Sequence, residues 1–236
     1  MITGGARRVG AAIVRTLHAA GANVVVHYRS SAADAVALAD ELNRQRADSA
    51  HCLAANLLDA DSYQPLVAKA IAQYGALDIL VNNASSFYAT PVGSITAAQW
   101  DDLVGTNLKA PLFLSQAAAP SLRARRGLIV NLVDIHGLRP LRAHPLYCVA
   151  KAGLAMLTRS LARELGPEIR VNGIAPGPVL WPEAEIGRGL QEEIVDKTAL
   201  KRHGTPDDVA RTVLFLAKDA PFITGQIIAV DGGRSI

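Results

Sequence analysis

Three residues near the middle of the chain have the types and spacing to move a proton: Asp134, Tyr147 and Lys151. Tyr147 and Lys151 are four positions apart, so on a helix the phenol and the ammonium share one face about one turn apart. A neighbouring cation favours phenolate and so tunes the tyrosine as a proton donor. A tyrosine acid beside a lysine suits reduction by hydride, because a proton has to follow the hydride onto the substrate. Asp134 is the unusual member. A carboxylate only accepts hydrogen bonds, whereas a hydroxyl in the same place would also donate one to a carbonyl oxygen. Asp134 therefore bears on the class of substrate as well as on the reaction. Carboxylate and ammonium are expected to pull the acidity of Tyr147 in opposite directions, the first holding its proton on and the second easing its release.

A second group of residues suits a phosphate ligand. Thr3-Gly4-Gly5-Ala6-Arg7-Arg8-Val9-Gly10 opens a helical pattern directly after Met1-Ile2. Backbone amides and the helix dipole receive a pyrophosphate at such a place. The spacing departs from the general GxGxxG fingerprint, since Arg8 stands inside it, and taken alone the loop is equally well read as an ordinary strand-to-helix turn. The next strand ends His27-Tyr28-Arg29-Ser30-Ser31, without the Asp or Glu that an NAD-binding fold sets against the ribose hydroxyls. Arg8 and Arg29, with the hydroxyls of Ser30 and Ser31, suit a 2′-phosphate instead. NADPH is therefore the predicted cofactor.

These residues need a frame. Short β-branched runs over Asn23–His27, Leu77–Val81, Leu128–Val133, Ile169–Ile174 and Ile227–Val230 alternate with longer helical patterns. Helices are predicted over Val9–Ala20, Ala33–Arg44, Ser62–Tyr74, Ala97–Leu122, Tyr147–Leu165 and Pro206–Leu216. The alternation predicts an α/β fold: a Rossmann-like, doubly wound parallel sheet with helices on both faces, in a single domain over 1–236. Only Met1 and Ile2 precede the glycine loop, where a central strand normally has about five residues. The first strand is therefore expected to be truncated.

Composition narrows the partners. The formal net charge is +3, too small an excess to imply nucleic acid. Arg123, Arg125 and Arg126, just before Gly127, read as cations closing a helix C-terminus. Cys52 and Cys148 are the two cysteines, without CxxC spacing, and His136, His144 and His203 lack metal-ligand spacing, so no disulfide framework and no metal site are expected. No apolar run reaches membrane-spanning length and no secretory signal opens the chain. The expected setting is the cytoplasm, with no membrane partner.

Taken together, Thr3-Gly4 to Gly10, Asn82-Asn83-Ala84, Asn107, Tyr147 to Lys151 and Pro176-Gly177 make the chain resemble the short-chain dehydrogenase/reductase family over essentially its whole length. The resemblance implies that Asn83, Ala84 and Ser85 border the cofactor, together with Gly4, Arg7, Arg8 and Val9 of the loop. It adds His27, Tyr28, Arg29, Ser30 and Ser31, and then Asn56 and Leu57 near the adenine. Asn56 stands where the family commonly has aspartate, and its carbonyl oxygen can still accept from an amino group. Asn107 is implied to support a proton relay, Tyr147 to be the acid, Lys151 to contact the nicotinamide ribose, and Pro176-Gly177 to lie beside the nicotinamide. Family members commonly form tetramers through two long helices, here near Asp102–Leu122 and Tyr147–Leu165.

Within the family the pattern is similar to that of pteridine reductases. Asp134 occupies the position where most members have serine, Arg8 replaces the middle glycine, and Asn82 to Tyr88 and His27 to Ser31 agree closely. This likeness implies that Phe87 sandwiches a flat pterin against the nicotinamide, with Ser85, Asp134 and Tyr147 around it. Trp181 is read as a lid over substrate or an anchor against a neighbouring subunit. The expected activity is NADPH-dependent reduction of a dihydropterin, or dihydrofolate, with Tyr147 as proton donor. The alternative is a general carbonyl or 3-oxoacyl thioester reductase, which expects serine at position 134. A cofactor-binding protein without catalysis stands further off, because the acid, the lysine and Asn107 are all present.

Overall fold

A computed structural model describes residues 1–180 and 187–236. Among them, the alternation of short apolar runs and amphipathic stretches becomes an all-parallel sheet. β1 (Val24–Tyr28) pairs with β2 (Ala50–Ala54), while β3 (Ile79–Asn82), β4 (Leu128–Leu132), β5 (Arg170–Pro176) and β6 (Ile227–Val230) lie in sequence order beside one another. Ile2 joins the two groups by bridging Val26 and Val81, both in parallel sense. From Ile2 the chain winds outward to β1 and β2, then crosses to β3 and winds the other way. The carboxyl ends of the strands at such a switch point form a crevice that helices cannot fill.

One face of the sheet is covered by α1 (Arg8–Ala19), α2 (Ala32–Gln45) and α8 (Pro206–Lys218), which bring Ile13, Val14, Leu38, Leu42, Val209 and Val213 into one apolar core with Ile2, Val26 and Val130. The other face is covered by α3 (Tyr63–Tyr74), α5 (Ala110–Ala124) and α6 (Pro145–Glu164), through Leu66, Val67, Leu114, Leu122 and Ala162 against Leu80, Ile129 and Val171. Ile13 and Val14 are fully buried, and each such side chain contributes about 1.5–3 kcal/mol by leaving water. Helix α8 begins with a capping box between Thr205 and Asp208 and with Pro206 in its first turn. The arginine cluster closes α5 as expected and also forms ion pairs, Arg125 to Asp78 at 2.8 Å and Arg123 to Glu168 at 3.8 Å.

Three elements differ from the sequence expectation. Strand β2, Ala-His-Cys-Leu-Ala, was not predicted, since it has no β-branched residue; pairing with β1 makes it a strand nonetheless. Helix α7 (Arg188–Asp196) was also missed: Leu190 and Ile194 are spaced for one helical face, but nine residues give that pattern little length to stand out. The single helix predicted over Ala97–Leu122 is interrupted: α4 (Ala97–Val104) passes through a π-turn over Gly105–Lys109 before α5 begins. The Asn107 side chain sits in that widened turn and donates from Nδ2 to the Leu103 and Ser86 carbonyls at 2.9 Å each. Such π-turns commonly mark functional positions.

Candidate active site

The crevice at the switch point is a groove of about 350 Å³. It is lined by Gly4, Ala6, Arg7, Arg8, Val9 and Gly10 from the loop and α1, and by His27 to Ser31 after β1. Asn56 and Leu57 follow β2, and Asn83, Ala84, Ser85 and Ser86 follow β3, with Thr106 closing the end. None of these lining residues is acidic and three are arginine, so the walls suit an anion. Bare backbone forms part of the cradle. A Cβ on Gly10 would lie 2.2 Å from the Gly4 carbonyl oxygen and 2.7 Å from Asn83 Nδ2, so only glycine lets the loop and α1 close together here. Arg8, in the place where the family has glycine, carries a left-handed φ of +54°, a conformation that costs a non-glycine residue about 1 kcal/mol. The loop is pinned from β3 as well: Asn83 Nδ2 donates to the Thr3 and Gly4 carbonyls at 2.9 and 3.0 Å, and Thr3 Oγ1 accepts from the amides of Asn83 and Ala84.

Beyond the end of this groove, the acid and its neighbours meet. Asp134 follows β4 and caps a 3₁₀ turn over Ile135–Gly137, accepting the His136 amide on Oδ1 at 2.8 Å. Its other oxygen, Oδ2, accepts the Tyr147 hydroxyl at 2.8 Å. A Cβ on Gly137 would meet the Lys151 backbone at 2.8 Å, so the glycine lets the turn that carries Asp134 rest on α6, which carries Tyr147 and Lys151. Lys151 is buried, donates from Nζ to the Leu132 carbonyl at 2.8 Å, and lies 5.6 Å from the centroid of the Tyr147 ring. Burial lowers its pKa to about 8, against the opposing pull of Asp134. Ser85 Oγ donates to Asn107 Oδ1 at 2.6 Å, tying the end of β3 to the π-turn. The Phe87 ring stands edge-on to Tyr147, at 4.8 Å and 79°, and lies parallel to His144 at 4.8 Å and 10°.

The pKa of Tyr147 is raised well above that of an ordinary phenol. Burial is the largest cause, followed by the charge and hydrogen bond of Asp134, while the Ser85 hydroxyl acts in the opposite direction. This corrects the sequence expectation of a phenol balanced between carboxylate and ammonium. Burial and Asp134 prevail in holding the proton on Tyr147.

Across residues 4–235 the chain matches the family model described as Enoyl-(Acyl carrier protein) reductase. It belongs to the short-chain dehydrogenase/reductase family. The 3-oxoacyl-[acyl-carrier-protein] reductase FabG of Staphylococcus aureus is 37% identical over 237 residues, covering 99% of this chain and 96% of that protein. Pteridine reductase 1 of Leishmania tarentolae is 37% identical over 277 residues, covering 100% of this chain and 96% of that protein. Among solved structures, the blue fluorescent protein from a metagenomic library, in complex with NADPH, matches with a TM-score of 0.93 at 36% identity and covers 100% of this chain and 96% of its own. The likeness to pteridine reductases read from individual residues is thus matched by an equal overall likeness to a 3-oxoacyl reductase.

In this member of the family, the fold gathers most of the residues singled out from sequence. Asn107, Asp134, Tyr147 and Lys151 converge on one cluster, and every expected cofactor residue from Gly4 to Ser85 lines the groove. Pro176 and Gly177 do not line it. Pro176 pairs with Val230, the Gly177 amide donates to the Val230 carbonyl, and a Cβ on Gly177 would meet Asp231 at 2.6 Å, so this turn packs on the chain after β6. Trp181 lies outside the described residues. Asn56 Oδ1 already accepts the Leu58 amide at 3.2 Å, leaving one lone pair for a ligand. Sequence reasoning missed Ser86 and Thr106 as lining residues, Gly137 as a contact point, and His144 as the partner of Phe87. Ser86 lies inside the Asn82–Tyr88 stretch and was legible; a contact such as Gly137 on Lys151 leaves no local signal. Cys148 Sγ accepts the Leu141 amide at 3.2 Å, in keeping with a packed helix residue, and both cysteines are free. Among the described residues no cluster of metal-ligating side chains occurs, and no helix is long and apolar enough to cross a membrane.

His27, at the floor of the groove, gives the fold a pH dependence. Burial pushes its imidazole down to about 4, whereas a histidine in the unfolded chain titrates near 6.5. Above about pH 6.5 the ring is neutral in both states and nothing is lost. As the pH falls from there towards 4, the unfolded chain gains a proton that the folded state refuses, and about 3 kcal/mol of stability should disappear. Urea unfolding at several pH values checks this: the acid-side loss is expected to be shallower in His27→Asn, and equal slopes would contradict it.

Proposed function

We propose that the protein is an NADPH-dependent reductase of pteridines, acting on a dihydropterin or dihydrofolate. The observation that carries this reading is the 2.8 Å hydrogen bond from the Tyr147 hydroxyl to Asp134. For a ketone, a carboxylate at that place would repel the negative charge developing on the substrate oxygen. A pteridine presents an amino group and ring N–H donors, which a carboxylate accepts, and a ring nitrogen that needs a proton. A flat heteroaromatic ring also suits the half-exposed Phe87 that borders Tyr147.

The groove supports the cofactor part of the reading. Its arginines, its lack of lining carboxylates and the glycine contact between loop and α1 fit the pyrophosphate and 2′-phosphate of NADPH, the ligand held by the matching blue fluorescent protein. NADPH supplies the hydride when bound. The first-turn amides of α1, Val9 and Gly10 among them, receive the pyrophosphate, and Arg8 and Arg29 meet the 2′-phosphate. Lys151, held by the Leu132 carbonyl, keeps its ammonium beside the Tyr147 ring and offers its remaining protons to the nicotinamide ribose. Asp134 orients the pterin by accepting its donors on Oδ2. That exchange frees the Tyr147 hydroxyl to turn to the ring nitrogen and deliver its proton there. Asn107, buried and linked to Tyr147 through Ser85, lies on the route by which the tyrosine regains one.

The test is NADPH oxidation by the purified protein with 7,8-dihydrobiopterin and, in parallel, an acetoacetyl thioester. Pterin-dependent turnover with little thioester activity supports the proposal. The reverse would favour the 3-oxoacyl reading, which the 37% identity to FabG recommends. The reading includes a homotetramer built through α5 and α6, whose outer faces expose Phe113, Val149 and Met156. Sedimentation at assay concentrations is expected to show tetramer, and a monomer would remove that part.

A further inference from the structure

His27 sits where three segments meet. Its own amide donates to the Ile2 carbonyl at 3.0 Å and its carbonyl accepts the Gly5 amide at 2.9 Å, which holds the end of β1 beside the glycine loop through the backbone. The ring adds two bonds. Nδ1 faces the Gly4 amide at 3.1 Å, and Nε2 faces the Ala55 carbonyl, just after β2, at 3.2 Å. An amide can only donate and a carbonyl can only accept, so one form of the ring satisfies both: neutral, with the proton on Nε2 and the lone pair on Nδ1. The opposite tautomer would set two donors against each other at Gly4 and two acceptors at Ala55. The side chain is 2% exposed, so neither partner has water as a substitute.

We infer that His27 is a positioning residue for the dinucleotide: as the Nε2–H tautomer it fixes the Gly4 peptide and thereby the shape of the glycine loop. Resting on the reading of this groove as a dinucleotide site, the inference assigns the side chain a task other than contact with phosphate. Gly4 has a left-handed φ of +58°, and the residue is held at both of its peptides, by His27 at its amide and by Asn83 Nδ2 at its carbonyl. That carbonyl is the atom a Cβ on Gly10 would strike, so the placement of Gly4 sets how closely α1 approaches. With the amides of Gly4 and Gly5 both turned to His27, the loop offers neither to the ligand. The pyrophosphate is left to the first turn of α1, at Val9 and Gly10, whose placement depends on the Gly4 contact. Loss of the Nδ1 acceptor should therefore weaken cofactor binding although no bond to the cofactor is removed.

Three substitutions separate the two ring bonds. Asn places Oδ1 near the position of Nδ1 and keeps an acceptor for Gly4; Gln reaches the Nε2 position and keeps a donor for Ala55; Phe keeps the volume and loses both. The dissociation constant for NADPH, read by fluorescence titration with thermal melts alongside, is expected to rise about 10-fold or more in His27→Gln and His27→Phe and about 3-fold or less in His27→Asn. Wild-type binding in the Gln and Phe variants would overturn the proposal. So would an equal loss in all three that tracks their melting temperatures, since that is the mark of packing alone. Imidazole nitrogen chemical shifts of the unmodified protein test the tautomer without any substitution. A bare Nδ1 and a protonated Nε2 are expected at neutral pH, and a protonated Nδ1 would overturn the assignment. No NADPH binding by the unmodified protein overturns the groove reading along with this one, whereas tight wild-type binding with indifferent variants overturns this one alone.

Discussion

Replacing Tyr147 by Phe is expected to lower kcat/KM for the reductase reaction by about 10³-fold while changing the dissociation constant for NADPH by no more than about 3-fold. The ring stays, and with it the contacts to Leu103 and Leu146 and the edge against Phe87. Only the hydroxyl is lost, and in the resting site that hydroxyl touches Asp134, outside the lining of the cofactor groove. Folding should therefore be preserved and the defect confined to proton delivery. Steady-state kinetics with 7,8-dihydrobiopterin and a cofactor titration on the same preparation check the prediction. Turnover within about 10-fold of wild type would mean that water supplies the proton and that Tyr147 is not the acid.

What the sequence disclosed about this site follows from how its parts are encoded. Tyr147 and Lys151 are fixed by helical spacing, and the glycine loop by its place between the first residues and α1, so both were legible in the sequence. The parallel order that sets the ends of β1 and β3 on either side of Ile2 followed from the alternation of strands and helices. Asp134 was visible as a carboxylate that would hold the Tyr147 proton on, but that burial joins it and prevails over Lys151 was not. That outcome depends on burial, which comes from Leu103 and Tyr88 in distant parts of the chain as well as from the adjacent Leu146. The π-turn at Asn107 escaped for a similar reason. Its segment has good helical periodicity, and the interruption lies in one widened turn whose side-chain amide bonds to Leu103 and to Ser86 across the site. Strand β2 becomes a strand only because β1 lies beside it. His27 shows the same limit: the family resemblance implied a cofactor contact, whereas its two ring bonds join the loop to the chain after β2.

Asp134→Ser is the change that bears most directly on substrate class. Serine at this position restores a group that both donates and accepts, as a ketone oxygen requires, and removes the carboxylate that accepts the pterin's donors. Pterin turnover is expected to fall about 100-fold or more while thioester turnover rises, so that the ratio of the two kcat/KM values moves by about 10³. Asp134→Ala should lose the pterin reaction without gaining the other, because it supplies no donor. In both variants NADPH affinity should stay close to wild type, since Asp134 does not line the groove. A second consequence distinguishes this account from simple damage to the site. Asp134 contributes the second and third largest causes holding the Tyr147 proton, so removing it lowers the pKa of Tyr147 and leaves burial as the main cause that raises it. The alkaline limb of the pH–rate profile should move to lower pH in both variants. An unchanged profile, or equal losses of turnover and NADPH binding, would mean that the 2.8 Å bond from Tyr147 to Asp134 does not govern the acid and that the substrate class is set elsewhere.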